Sequence, residues 1–137
     1  GVPVDIAMQP LLDQITDSEG SNIKVLPPKG DRVMADHYSG ARLHWYPGHQ
    51  RDFACWTLRD SQSTGLPAIA YNLGGAQDVI EDSVTGFLAP DEEAFINLTQ
   101  QILVDDELYK TMRKSALSSE RRVSWSKTAD IVAQLWL

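Results

Sequence analysis

One stretch constrains this chain more than any other. Between Asp52 and Asp78 a polar segment stops at Gly65-Leu66-Pro67, and the apolar run Pro67-Ala68-Ile69-Ala70-Tyr71 follows. Asn72-Leu73-Gly74-Gly75 then leads into Ala76-Gln77-Asp78-Val79. A glycine after a polar helical segment is a helix stop. A short apolar run bounded by turn residues reads as a strand buried on both faces. Helix, glycine stop, strand, glycine loop and helix again is the order found in open parallel sheets, which place ligands at the carboxyl ends of their strands. Asp52, Asp60 and the Gly74-Gly75 pair would converge on that edge.

The same rhythm extends in both directions. Val2, Val4 and Ile6 alternate with Pro3 and Asp5, which predicts a short strand. Pro10 suits the first turn of a helix over Leu11–Thr16, and the cluster from Asp17 to Asn22 reads as a turn. Ile23–Leu26 is a predicted strand stopped by Pro27-Pro28, and Asp31 is the predicted N-cap of a helix over Arg32–Tyr38 ended by Gly40. Leu43–Tyr46 is the next predicted strand, closed by Pro47-Gly48. A helix over Asp52–Ser63, the strand Pro67–Tyr71, a brief helix over Asp78–Asp82 and a strand over Val84–Ala89 follow.

Beyond Pro90 the pattern turns helical, with acid at Asp91-Glu92-Glu93 where a helix macrodipole favours it. Phe95, Leu98 and Ile102 recur at helical spacing, and Asp105–Ser118 and Ser124–Leu137 complete the tail. The prediction is an α/β fold with a Rossmann-like open parallel sheet flanked by helices. Residues 1–137 form a single domain in that reading, with the helical tail over 91–137 packed on the sheet.

With 137 residues, a formal net charge of −7 and a pI near 4.8, the chain lacks the basic face that nucleic acid requires. No apolar run reaches the roughly 20 residues of a membrane span. Residues 1–15 lack the basic start of a secretory signal, and a lone Cys55 fits a reducing compartment. Cytoplasm is the expected location.

The candidate chemistry is acidic. Asp52 and Asp60 lie eight positions apart. On one continuous helix that is about 12 Å of rise, beyond the roughly 5–9.5 Å of a hydrolytic carboxylate pair. Such spacing suits a long ligand gripped at two points, although Asp52 as a helix cap and Asp60 as a solvated acid would satisfy the same residues. Gly74-Gly75 lets backbone approach a ligand closely, or simply makes a tight turn. There is neither a dinucleotide-binding glycine fingerprint nor a phosphate-binding loop motif. His37, His44 and His49 have no ligand-like spacing, so no metal site is expected. His44 reads as structural, and His49, just past Pro47-Gly48, is the histidine placed to meet a ligand. Cys55 is expected to be a buried thiol.

Taken in order, Asp52, Asp60, Gly65-Leu66-Pro67, Ala68–Tyr71, Gly74-Gly75, Asp78-Val79-Ile80 and Thr85-Gly86-Phe87-Leu88 resemble the donor-binding half of a retaining glycosyltransferase of the GT-B fold, family 4 type. Tyr46-Pro47-Gly48 and Ser124-Trp125 extend the similarity less specifically. The resemblance implies one lobe of a GT-B architecture that binds a nucleoside diphosphate sugar without a cofactor or metal. It assigns the donor sugar to Asp52 and the donor ribose to Asp60. Backbone of Phe53, Ala54, Cys55, Gly74 and Gly75 would lie near sugar and diphosphate, beside His49. It also implies an acceptor and an N-terminal lobe or partner chain that forms the other wall, so this chain alone should show little or no transfer. Departures from the family pattern are Asp for Glu at both acids and Phe53-Ala54-Cys55 for Gly-Phe-Gly. They keep open a catalytically inactive binding module, and more remotely a Rossmann-like enzyme such as a sugar-nucleotide epimerase.

Overall fold

The computed structural model describes residues 4–17, 22–118 and 124–136, in two compact units, residues 1–30 and 31–137. The first unit holds helix α1 (Val4–Asp17) and a stretch over residues 22–30 without regular secondary structure. The strand predicted around Val4 and Ile6 is thus a helix, with Val2 outside the described residues. An alternation only three apolar residues long does not specify a strand, whereas α1 half-buries Leu12 and Ile15, three positions apart on one face. Gln9 Nε2 donates to Asp13 Oδ1 at 2.8 Å across one turn of it. Pro10 lies inside α1 and not in its first turn. The strand predicted over Ile23–Leu26 does not form either: residues 22–30 carry no regular secondary structure.

The second unit contains a three-stranded parallel sheet. Its strands are β1 (His44–Tyr46), β2 (Ala68–Tyr71) and β3 (Gly86–Ala89), in the order β1-β2-β3. His44 pairs with Ala68 and Tyr46 with Ala70, and on the other side Ala68 pairs with Gly86 and Tyr71 with Ala89. Alternate side chains of each strand therefore feed two different cores. Ala68 and Ala70 of β2 join Tyr46, Leu88, Cys55, Leu58, Ala76 and Ile80. Ile69 and Tyr71 join Phe87, Ala89, Phe95, Ile102 and Met112 on the opposite face.

Helices α2 (Asp31–Gly40) and α3 (Trp56–Ser63) pack on one another, and α3 covers β1 and β2. Helix α4 (Glu92–Val104) crosses β2 and β3, with α5 (Asp106–Ala116) against it. Both start where the sequence places acids. The carboxylate of Asp91 accepts from Ala94 N–H at 2.8 Å, and that of Asp105 from Glu107 and Leu108 at 3.0 and 2.9 Å. Helix α6 (Trp125–Leu135) begins at Ser124, whose Oγ accepts from Lys127 N–H at 3.2 Å. No described helix is long and apolar enough to cross a membrane.

Two predicted boundaries shift near the sheet's ligand edge. The helix expected from Asp52 begins only at Trp56, after a left-handed Cys55 with φ 46°. The helix expected over Asp78–Asp82 is a single 3₁₀ turn over Ala76–Asp78. Val84 and Thr85 belong to a turn before β3, where Thr85 Oγ1 accepts from Glu81 N–H at 3.1 Å.

Candidate functional site

Because the sheet is parallel, its carboxyl ends lie on one edge, where two loops meet. The first leaves β1 through Pro47-Gly48 and runs over His49–Cys55. The second leaves β2 through Asn72–Gly75. They approach so closely that only glycine fits the second. A Cβ on Gly74, whose φ is +55°, would stand 2.5 Å from the Asp52 carbonyl oxygen and 2.6 Å from that of His49. One on Gly75 would collide with the Phe53 carbonyl, and the Gly75 N–H donates to the Asp52 carbonyl at 2.9 Å. The close approach expected of these glycines is thus made to protein backbone, which locks the two loops together.

Asp52 sits at the junction. Its N–H donates to the His49 carbonyl at 3.0 Å. Oδ1 accepts from Cys55 N–H at 2.9 Å, and Oδ2 accepts from the Tyr46 hydroxyl in a short bond. Bonding from Tyr46 first, then from Cys55, lowers the Asp52 pKa below the ordinary carboxylate value. Burial first, then the bond to Asp52, raises that of Tyr46. These local bonds also explain the late start of α3. A carboxylate that captures the N–H three residues on offers the backbone an alternative to the helix. Asp52 therefore does not cap α3.

The remaining predicted residues divide into two groups. Cys55 is buried, with Sγ donating to the Asp52 carbonyl at 3.2 Å. The Ala54 carbonyl accepts from Arg59 Nε at 2.8 Å. Phe53 projects outward with 73% of its surface exposed, so its ring stands free beside Asp52. His49 is exposed and its Nδ1 accepts from Arg51 N–H at 3.1 Å. These residues, with the glycine pair, lie on the two joined loops. Asp60 stands apart, exposed within α3, and no cation pairs with it among the described residues. Its charge adds to burial in raising the pKa of Tyr38 on α2. Since α3 begins at Trp56, the two acids are not on one continuous helix.

His44 lies on the same strand face as Tyr46, and its Nδ1 is 2.6 Å from Ser61 Oγ. Ser61 Oγ in turn donates to the Leu58 carbonyl at 2.9 Å. The hydroxyl proton is thus engaged, so His44 Nδ1–H is the donor to Ser61. Burial lowers the pKa of His44. Sequence reading assigned Tyr46 only to the end of a strand; a hydroxyl-bearing side chain at a strand's carboxyl end, six residues before the acid, was the available signal. No cluster of three metal-binding side chains occurs among the described residues.

Comparison with known proteins identifies the family. Residues 13–118, more than half of the chain, match the family described as glycosyl transferases group 1. The chain is 25% identical over 135 residues to a D-inositol 3-phosphate glycosyltransferase of Saccharomonospora viridis, covering 97% of this chain and 30% of that protein. The protein of the same description from Xylanimonas cellulosilytica is 30% identical over 118 residues, 82% of this chain and 28% of the relative. That of Corynebacterium urealyticum is 26% identical over 129 residues, 91% and 30% respectively. The chain therefore spans less than a third of the length of these curated relatives. A parallel sheet with paired glycines against an acid-bearing loop, and a family match across that whole region, place this chain in the glycosyl transferases group 1 family.

Proposed function

We propose that this chain is the C-terminal, donor-binding lobe of a GT-B glycosyltransferase that moves a sugar from a nucleoside diphosphate donor to an acceptor with retention of configuration. The observation that carries this reading is the locked loop pair at the sheet's carboxyl edge. Gly74 and Gly75 are pressed against the backbone of His49, Asp52 and Phe53, and the Asp52 carbonyl lies at the seam. Such a rigid edge suits a role in holding and orienting the donor, with Asp52 at the sugar and Asp60 at the ribose. Phe53, Ala54, Cys55, Gly74, Gly75 and His49 complete the donor's surroundings. The acceptor wall and the cations that offset the diphosphate charge would come from an N-terminal lobe or partner chain. The sequence alone is then expected to transfer little or no sugar, and robust turnover by it would refute this division of labour.

A second reading is favoured by one observation: both carboxylate oxygens of Asp52 are already engaged by Tyr46 and Cys55. A lobe of this kind could survive as a binding module without catalysis. Calorimetry with UDP, GDP and their hexose conjugates on the wild-type chain and Asp60→Ala separates the two. Donor binding that weakens about tenfold with Asp60→Ala, the order of a hydrogen bond to a charged group, supports the donor lobe. Absence of binding to every nucleotide supports the module, and binding indifferent to Asp60→Ala refutes the ribose assignment.

A further inference from the structure

The strongest feature outside the assigned donor contacts is Tyr46. Its ring is built into the core on the α3 face, packed with Cys55, Leu58, Ala70 and Ile80. The His44 ring meets it edge-on at 5.5 Å. Gly48, with φ +76°, folds back over the ring, and a Cβ there would stand 3.4 Å from Tyr46 Cε1. Its hydroxyl donates to Asp52 Oδ2. Asp52 is in turn bonded through Oδ1 to Cys55 N–H and through its carbonyl to Gly75 N–H. One side chain rooted in β1 thereby sets the carboxylate of a residue whose backbone carbonyl joins the two loops of the edge.

We infer that Tyr46 is a positioning residue for Asp52: its hydroxyl fixes the direction of the carboxylate, so that a donor sugar is met by the outward lone pairs of a preset acid. The inference rests on the donor-binding reading. A carboxylate offers about four acceptor sites, so the bonds from Tyr46 and from the backbone of its own loop still leave capacity for a sugar hydroxyl. A tyrosine suits the task because a rigid ring with two torsions delivers its hydroxyl to one place. Aspartate, one methylene shorter than glutamate, has few rotamers, and its direction is settled by two fixed donors. The direct bond also lowers the pKa of Asp52, so the acid stays an acceptor over the neutral range.

The test uses Tyr46→Phe, which keeps the ring and removes the hydroxyl, with Asp52→Asn and the double variant. Carboxyl-carbon NMR titration of Asp52 needs no ligand. Tyr46→Phe should raise its pKa toward the ordinary carboxylate value, and an unmoved titration overturns the contact. Calorimetry follows with UDP-, GDP- and ADP-glucose and the matching diphosphates. Tyr46→Phe should weaken the nucleotide sugar about tenfold and leave the diphosphate within about twofold, because the lost bond acts at the sugar end. Asp52→Asn should weaken it similarly, and the double variant no further. Equal losses on sugar and diphosphate, or losses that multiply in the double variant, overturn the positioning role. If the wild type binds no nucleotide at all, the donor reading falls and takes the role toward donor with it, while the titration still decides the contact. Should Tyr46→Phe not fold, the sugar-against-diphosphate split of Asp52→Asn decides: a loss on both ligands alike refutes a sugar-facing Asp52 and hence the positioning.

Discussion

His44, Tyr46 and Asp52 form a short chain of polar side chains running from the α3 face of the sheet to its ligand edge, and each is set by its neighbours. His44 and Asp52 titrate in different windows as a result. Burial lowers the folded pKa of His44 below its ordinary value of about 6.5. Below that value the unfolded chain takes up the proton first, so the stability contributed by neutral His44 is complete above about pH 6.5. It is lost as pH falls from there through the depressed folded value. Asp52 acts lower: its contribution is present above about pH 3.9 and disappears as pH falls through its own depressed folded value. Urea midpoints measured from pH 7 to pH 5 should therefore fall for the wild type and fall less steeply for His44→Gln. Parallel curves would show that His44 does not govern this window. The glycines make a sharper steric prediction. Gly75 has an ordinary φ of −90°, so Gly75→Ala meets no backbone penalty. Its new methyl instead runs into the Phe53 carbonyl. Forcing the loops apart should cost about 1–3 kcal/mol by urea denaturation, the range for overpacked sites. A neutral substitution would mean that the loops separate freely.

Helix starts were legible in the C-terminal half, where caps are local chemistry. Asp91, Asp105 and Ser124 each cap the helix that their spacing foretold. Gly65 ends α3 as its position suggested, and the closure is a complete Schellman motif. Gly65 N–H donates to the Gln62 carbonyl at 3.0 Å and Leu66 N–H to that of Ser61 at 3.1 Å, with Gly65 at φ +81°. A Cβ at Gly65 would also press on the Leu117 side chain at 2.6 Å. Gly65→Ala should cost about 1–2 kcal/mol for the left-handed backbone alone. Leu117 adds to that, so the penalty should shrink when Leu117→Ala is present. An unchanged penalty would assign all of it to the backbone. The parallel sheet and its order of helices were legible for a related reason, since Ala68–Tyr71 is apolar at every inward position and bounded by turn residues. What could not be read was decided by distant partners. The late start of α3 follows from the Asp52 carboxylate capturing the Cys55 N–H while Tyr46 holds its other oxygen. Ile23–Leu26 has strand composition yet takes no regular structure, and Val4 and Ile6 carry too short an alternation to choose between strand and helix. At the site, the acid and the glycine pair were visible; the approach of one loop's backbone to the other depends on the β1–β2 register and was not.

The sheet carries two cores on opposite faces, and three strands are too few for either face to stand without the other. Phe95 anchors one: it is buried on α4, with ring centroids 4.7 Å from Tyr71 and 5.2 Å from Trp45. Leu58 anchors the second, fully buried beneath α3. Adjacent residues of β2 point into different cores, so a strand displaced on one face is displaced on the other. Phe95→Ala should cost about 3–5 kcal/mol and Leu58→Ala about 2–5 kcal/mol, large fractions of the 5–15 kcal/mol that hold a domain folded. Each should move the whole transition. All three strands, both cores and the loop pair also lie within Asp31–Leu137. A chain begun at Asp31 should therefore retain a cooperative unfolding transition, and it provides the background in which to compare the two substitutions. Far-ultraviolet dichroism follows the helices, and near-ultraviolet dichroism follows the Trp45, Tyr71 and Phe95 cluster. In wild type and both variants the two signals should cross at one urea midpoint, lowered together by either substitution. A Leu58→Ala variant that first loses only the share of the helical signal carried by α2 and α3, while the aromatic cluster keeps its wild-type midpoint, would show two independent layers. The ligand edge would then belong to the α3 layer alone, because Tyr46 and the Asp52 loop are built on that core and not on the one around Phe95.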